Sequence, residues 1–247
     1  MTKNKQPLVA DLHVHTVASG HAYSTVQEIA SAAAEKGLKI IGITDHGPAM
    51  PGGPHLYHFS NLQVLPRRLN GVEILRGAEL NILNEDGELD LPPSYLGGLD
   101  LVWAGLHVRC FSGSDLNANT RAVLRALENP YVDGIVHPGN PDFPLDAEAV
   151  VRRAWELDKL VEINNSSFHF RLGSLEPCRH FASLVRSFGS DVAVNSDAHF
   201  AGDVGRSEMA FRVLEEVGLS LEQVVNTSVE KVYRVLERRR QRLKEIT

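Results

Sequence analysis

Asp11-Leu12-His13-Val14-His15-Thr16-Val17-Ala18-Ser19-Gly20-His21 is the stretch from which the fold and chemistry of this chain are read. It follows the apolar lead Leu8-Val9-Ala10, so it reads as the end of a buried strand. Side chains alternate along a strand, which puts Asp11, His13 and His15 on one face. Two imidazoles on one face, two residues apart, can reach the same metal ion. Gly20 breaks the strand, and His21 follows in the loop. Taken alone, the pair is more simply two hydrogen-bonded polar residues in a half-buried strand. The rest of the chain changes the balance, because it repeats the arrangement.

Short β-branched or apolar runs recur along the sequence. They cover residues 39–44, 72–80, 99–106, 133–136, 160–164 and 192–195. Helical patterns lie between them. Ser24-Thr25-Val26-Gln27 has the form of a capping box before a stripe of Ile29, Ala30, Ala33 and Ala34, with Gly37 as the stop. Further helices are expected over residues 61–69 with Pro66 inside or near, 120–128, 147–157 behind Asp146 as cap, 177–188, around Ala210 to Val217, and from Val229 onward. Residues 49–54 read as a loop and 84–88 as a small hairpin. The Arg238-Arg239-Arg240 run reads as a solvated face.

About seven strand-then-helix units in series imply an α/β fold with a parallel sheet covered by helices. No composition break divides residues 1–247, so a single domain is expected. Closure as a (βα) barrel is the natural geometry, and a doubly wound open sheet is the alternative. No phosphate-binding glycine fingerprint follows any strand, which counts against a nucleotide-binding version.

The net charge is −6 and 43% of the 247 residues are hydrophobic. No basic-aromatic array precedes the C-terminal run, so nucleic acid is not expected as the main partner. Cys110 and Cys178 form no Cys-x-x-Cys pair and suggest free thiols in a reducing compartment. The start, Met-Thr-Lys-Asn-Lys-Gln-Pro, has no apolar leader, and no apolar run reaches the length of a membrane span. A cytoplasmic protein is expected.

The decisive pattern is where the histidines fall. Of 11 in the chain, His13, His15, His21, His46, His107, His137 and His199 sit at or just past strand ends. Glu79 and Asp197 sit in the same kind of place. In a parallel βα barrel these ends converge on the face where active sites are built. Neutral imidazoles with two carboxylates suit zinc, and also manganese or iron. Nine ligands are ample for two or three ions. Three divalent ions against two carboxylates leave a surplus of about four positive charges, which calls for a multiply charged anion, and a phosphate monoester fits best.

At this point Asp11-Leu12-His13-Val14-His15-Thr16, Ile43-Thr44-Asp45-His46, Gly77-Ala78-Glu79, His137-Pro138 and Ser196-Asp197-Ala198-His199 resemble the polymerase-and-histidinol-phosphatase (PHP) family. His137-Pro138-Gly139-Asn140-Pro141 and Glu162-Ile163-Asn164-Asn165-Ser166-Ser167-Phe168 resemble its YcdX-type branch of small phosphatases. The resemblance runs over nearly the whole chain. It implies a distorted TIM-like (βα)7 barrel with up to three zinc ions, hydrolysing a small phosphorylated substrate with a metal-activated hydroxide. It also implies that His13, His15, Glu79 and Asp197 hold one ion. Glu79 would bridge to a second held by His107 and His137, and His21, His46 and His199 would hold the third.

Other residues gain expectations from their neighbours. Asp11 and Asp45 are placed to orient an imidazole. Arg171 is placed to clamp a phosphate oxygen, with Arg109 and Arg206 as weaker candidates. His55 and His58 fall in the loop after the second strand, and His180 reads as a helix-surface residue. Competing readings are a phosphodiesterase or exonuclease, an amidohydrolase, and a non-catalytic metal-binding protein. The amidohydrolase reading is weakened because Lys39 and Lys159 fall at strand starts, on the wrong face for a bridging ligand. Specificity is expected in residues 49–59 and 169–174.

Overall fold

A computed structural model describes residues 8–113 and 115–246. The first seven residues, read above as lacking an apolar leader, lie outside the described residues, as do Ser114 and Thr247.

The strands are β1 (Ala10–Val14), β2 (Ile40–Ile43), β3 (Arg68–Leu69), β4 (Val72–Asn81), β5 (Leu101–Gly105), β6 (Gly134–Ile135), β7 (Leu160–Asn164) and β8 (Val192–Asn195). The helices are α1 (Val26–Glu35), α2 (Leu56–Asn61), α3 (Pro93–Leu96), α4 (Leu116–Glu128), α5 (Ala147–Glu156), α6 (Ser167–Phe170), α7 (Leu175–Phe188), α8 (Glu208–Glu216) and α9 (Val229–Lys244). Seven strands pair in parallel in the order β1-β2-β4-β5-β6-β7-β8, and β3 adds antiparallel to β4. The ends of this sheet meet: Val14 bridges Ala198, and the His15 N–H donates to the Ala198 carbonyl at 2.9 Å. The fold is therefore a single, nearly closed, distorted (βα)7 barrel, not an open sheet.

Two apolar layers hold it. Outward-facing Ile41, Ile43, Val102 and Val161 pack against helix residues such as Ile29, Val123 and Phe181. Inside the barrel, Leu12, Ile40, Leu75, Leu101, Trp103 and Leu160 form a second cluster with Val232, Val235 and Leu236 of α9. Several of these begin their strands, so α9 stops the N-terminal mouth. The Trp103 indole N–H donates to the Leu12 carbonyl at 2.7 Å across the interior. With one mouth filled by side chains, ligands can enter only at the C-terminal ends of the strands.

Three local expectations are corrected. The first capping box sits one residue later. Thr25 is the N-cap and Glu28, not Gln27, returns the bond to the Thr25 N–H. The helix expected over residues 61–69 is replaced by α2 upstream, a 3-10 turn at Leu62–Val64 and strand β3. Pro66 explains this, because it drives Leu65 to extended backbone (ψ 133°). Finally, the Arg238-Arg239-Arg240 run is not a uniformly solvated face. Arg239 is buried, donating to the carbonyls of Leu96, Leu99 and Tyr131 and to Asp133. Asp133 also accepts the Val102 N–H and pairs with Arg242, so it pins α9 to the bottom of β5 and β6. Among the described residues no helix is long and apolar enough to cross a membrane.

Candidate metal centre

The strand ends bring the sequence-predicted ligands together around Glu79, which is fully buried on β4. Its Oε1 lies 3.0 Å from His107 Nε2 and 2.8 Å from His137 Nε2. Its Oε2 lies 2.8 Å from His46 Nδ1 and 3.3 Å from Nε2 of both His13 and His15. Asp197 Oδ1 is 3.2 Å from His15 Nε2 and 3.5 Å from His13 Nε2. The His199 ring stacks on His15 at 4.3 Å, and His21 stacks on His46 at 5.0 Å and His199 at 4.9 Å.

The donor set fits metal ions. His13 Nε2 faces His15 Nε2 at 3.0 Å, and His107 Nε2 faces His137 Nε2 at 3.3 Å. Two neutral ring nitrogens converge this way only with a proton or cation between them. His46 Nδ1, Glu79 Oε2 and His107 Nδ1 are buried without a hydrogen bond of acceptable geometry. Such atoms are costly unless something else takes their lone pairs. Three overlapping sets could each hold an ion: His13, His15 and Asp197; His15, His46 and His199; His46, Glu79 and His107. Nitrogen and oxygen donors without thiolate suit zinc, manganese or iron.

The electrostatics point the same way. Burial pushes His46 down to about 3 and both His137 and His199 down to about 4, leaving the rings neutral, the form that can ligate a metal. Burial also opposes a charged His15, but its bonds to Asp197 and Glu79 win and raise it to about 9. Burial disfavours the charged forms of Glu79 and Asp197, yet the surrounding histidines hold both well below the usual carboxylate range. Without metal the centre thus keeps protons that an entering cation displaces.

The backbone is shaped for this cluster. His137 and Asp197 take left-handed conformations, with φ of 35° and 54°, a strain that persists only where surroundings impose it. A Cβ at residue 105 would lie 3.0 Å from the His137 ring and 3.3 Å from the His107 ring, so Gly105 lets these rings approach.

The surrounding residues divide differently from expectation. Glu162, which carried no role in the sequence reading, is buried on β7 with Oε1 2.8 Å from His13 Nδ1. It also accepts the His137 N–H at 2.8 Å, Asn195 Nδ2–H at 2.9 Å and Asn164 Nδ2–H at 3.0 Å. Its sequence signals were a carboxylate alternating with Leu160 into the barrel and its place at the head of the motif that resembles the YcdX-type branch. Asp45 accepts the Thr16 N–H and the Ser19 hydroxyl, each at 2.7 Å, and Ser19 Oγ lies 3.0 Å from His15 Nδ1. His58 Nε2 is 3.1 Å from Asp45, so the loop after β2 reaches the centre through His58, while His55 caps α2.

Asp11 does not share a face with His13. A register shift between Asp11 and Val14 interrupts the alternation, and Asp11 accepts from the Ser196 hydroxyl and the N–H groups of Ser196 and Gly205 instead. Arg171 enters the site: its guanidinium is 3.3 Å from Asp197 and 3.1 Å from Ser167 Oγ. Arg206 pairs with Asp203 and Glu208. Cys110 and Cys178 are free thiols.

Comparison with known proteins agrees with this geometry. A family model described as PHP domain matches residues 11–175. A probable phosphatase of Caldanaerobacter subterraneus subsp. tengcongensis is 52% identical over 241 residues, covering 97% of this chain and 95% of that protein. A probable phosphatase of Acetivibrio thermocellus is 50% identical over 236 residues, covering 96% and 98%. Among solved structures, a histidinol phosphate phosphatase from Lactococcus lactis subsp. lactis, complexed with zinc, L-histidinol and phosphate, shares the fold. Its TM-score is 0.59 at 16% identity, over 85% of this chain and 94% of that one.

Proposed function

This chain belongs to the PHP domain family, and we propose that within it the protein is a metal-dependent phosphomonoesterase with up to three zinc ions at the cluster around Glu79. The observation that carries the reading is the convergence of seven imidazoles and two carboxylates at one barrel mouth, beside Arg171. The names of the relatives and the zinc and phosphate bound by the Lactococcus enzyme support it.

When bound, the ions would supply water activation and neutralise phosphoryl charge. The chain's residues have separable tasks in this reading. Glu79 links the His46 side of the cluster to the His107–His137 side through its two oxygens. Glu162 fixes the His13 ring, and Asp45 fixes His15 through Ser19. Arg171 offers guanidinium donors beside Asp197, where they can take a phosphate oxygen. The nearby hydroxyls are engaged elsewhere: Ser166 donates to the Ser196 carbonyl and Ser196 to Asp11. Those bonds support water as the attacking group in this reading.

The test measures metal content and phosphatase activity on one sample, across sugar phosphates, nucleotides and amino-alcohol phosphates. More than one ion per chain and metal-dependent release of phosphate are expected. A ceiling of one ion after saturation removes the multinuclear reading. Metal binding without turnover leaves a metal-storing protein, and cleavage of diesters alone leaves a nuclease-type activity.

A further inference from the structure

Six Phe, Tyr or Trp side chains are exposed among the described residues, and four of them lie in the segments, loop or short helix, that follow strand C-terminal ends. Tyr23 (77% exposed) follows β1, Tyr57 (74%) follows β2, Phe170 (81%) follows β7 and Phe200 (57%) follows β8. Because β8 meets β1 at the seam, these strands are consecutive around the barrel. The four segments that carry these rings therefore rise from one arc of the barrel, at the end that bears the cluster.

Each ring is tied to the centre through its neighbours. Phe200 follows His199, and the Tyr23 N–H donates to the His199 carbonyl at 2.8 Å. Phe170 precedes Arg171, which reaches Asp197. Tyr57 precedes His58, which reaches Asp45. The loops after β1 and β2 are pressed together, since a Cβ at Gly20 would lie 2.2 Å from the Gly52 carbonyl oxygen. Large apolar groups held in water around a polar centre mark a place where an apolar group is received.

We infer that the protein prefers phosphate monoesters of alcohols with an apolar, especially aromatic, body, and that Tyr23, Tyr57, Phe170 and Phe200 receive that body while the phosphate sits at the metal cluster. This rests on the phosphomonoesterase reading. The occupant is the substrate's organic part because the arc adjoins the cluster that would hold its phosphate. Rings on four separate segments can meet a small body from several sides.

The test compares propyl phosphate, glycerol phosphate and phenylpropyl phosphate on zinc-loaded protein. All three leave as alcohols, which limits differences in intrinsic reactivity. The non-hydrolysable probes propylphosphonate and phenylpropylphosphonate are measured by calorimetry on the same sample. The phenyl compounds are expected to show about tenfold lower KM and Kd than the propyl ones, and glycerol phosphate should show no gain over propyl. The double variant Tyr57→Ser/Phe170→Ser should bring both ratios below about threefold. Ratios near one in the wild type, with all three esters hydrolysed, overturn the inference and leave the phosphomonoesterase reading standing. Ratios that persist in the double variant and also in Tyr23→Ser/Phe200→Ser overturn the assignment of the arc. Failure to hydrolyse any ester overturns the parent reading, and the inference with it.

Discussion

Replacing Glu162 by Gln should damage the metal centre although Glu162 is not in the predicted ligand set. Its two oxygens accept from His13, His137, Asn164 and Asn195 at 2.8 to 3.0 Å. An amide of the same shape accepts at one end and presents an N–H group at the other. Whichever end carries the nitrogen, at least one buried donor faces another donor. That costs about 1–3 kcal/mol, and at about 2–4 °C per kcal/mol it lowers the Tm of stripped protein by about 2–12 °C. The His13 ring also loses the charged partner that sets its orientation, and keeps at best a neutral acceptor, which should weaken zinc binding by about 10–100-fold. Chelator competition reads the affinity and calorimetry of stripped and reloaded protein reads the stability. Zinc affinity within about twofold of wild type, with an unchanged Tm, would refute the assignment of Glu162 as the residue that positions His13.

Other outcomes can be set beside this one. Glu79→Gln should lose more turnover and more bound metal than His21→Ala, because Glu79 contacts five imidazoles and His21 lies at the edge; comparable losses in folded variants would misplace the bridge. Stripped protein should lose stability as pH falls from about 6.5 towards about 4. His46, His137 and His199 have folded pKa values of about 3 to 4, below the ordinary value of about 6.5, so the unfolded chain binds more protons in that window. A urea midpoint equal at pH 6.5 and 4.5 would contradict this. Arg239→Met should cost about 3 kcal/mol by stranding three carbonyls and part of Asp133, with metal content of the folded protein unchanged; a stable variant would show that α9 docks by apolar contact alone. Hydrolysis of a chiral, isotopically labelled ester should invert configuration at phosphorus, and net retention would implicate a phosphorylated side chain.

Much of the barrel was legible because periodicity and strand-end chemistry agree. Leu160–Asn164 and Val192–Asn195 have the bounds read from their β-branched runs, and all nine expected ligands converge. What escaped depends on contacts far apart in sequence. Arg239 looks like one arginine among three, and only the docking of α9 on Asp133 selects it for burial. Glu162 looks like an interruption of an apolar strand until His13, 149 positions away, closes on it. Asp11 was misread because strict alternation was assumed through a register shift, which depends on how β2 lies alongside. The region after β2 failed for a local reason, since Pro66 was allowed within a helix that its ring forbids.

The seam between β1 and β8 has a further consequence. Elsewhere consecutive neighbours in the barrel share ladders of two or more residue pairs, but here the backbone supplies the single Val14–Ala198 bridge and the bond from His15. His13 and His15 stand on one side of this join, with Asp197 and His199 on the other. An ion held by His13, His15 and Asp197 would therefore act as a cross-link between the first and last strands. Metal loading and the stability of this seam are then coupled. Chelation should first be felt as faster amide exchange along β1 and β8, with β4 and β5 still protected. Shortening the chain through either terminal strand would then cost the protein its metal as well as its closure.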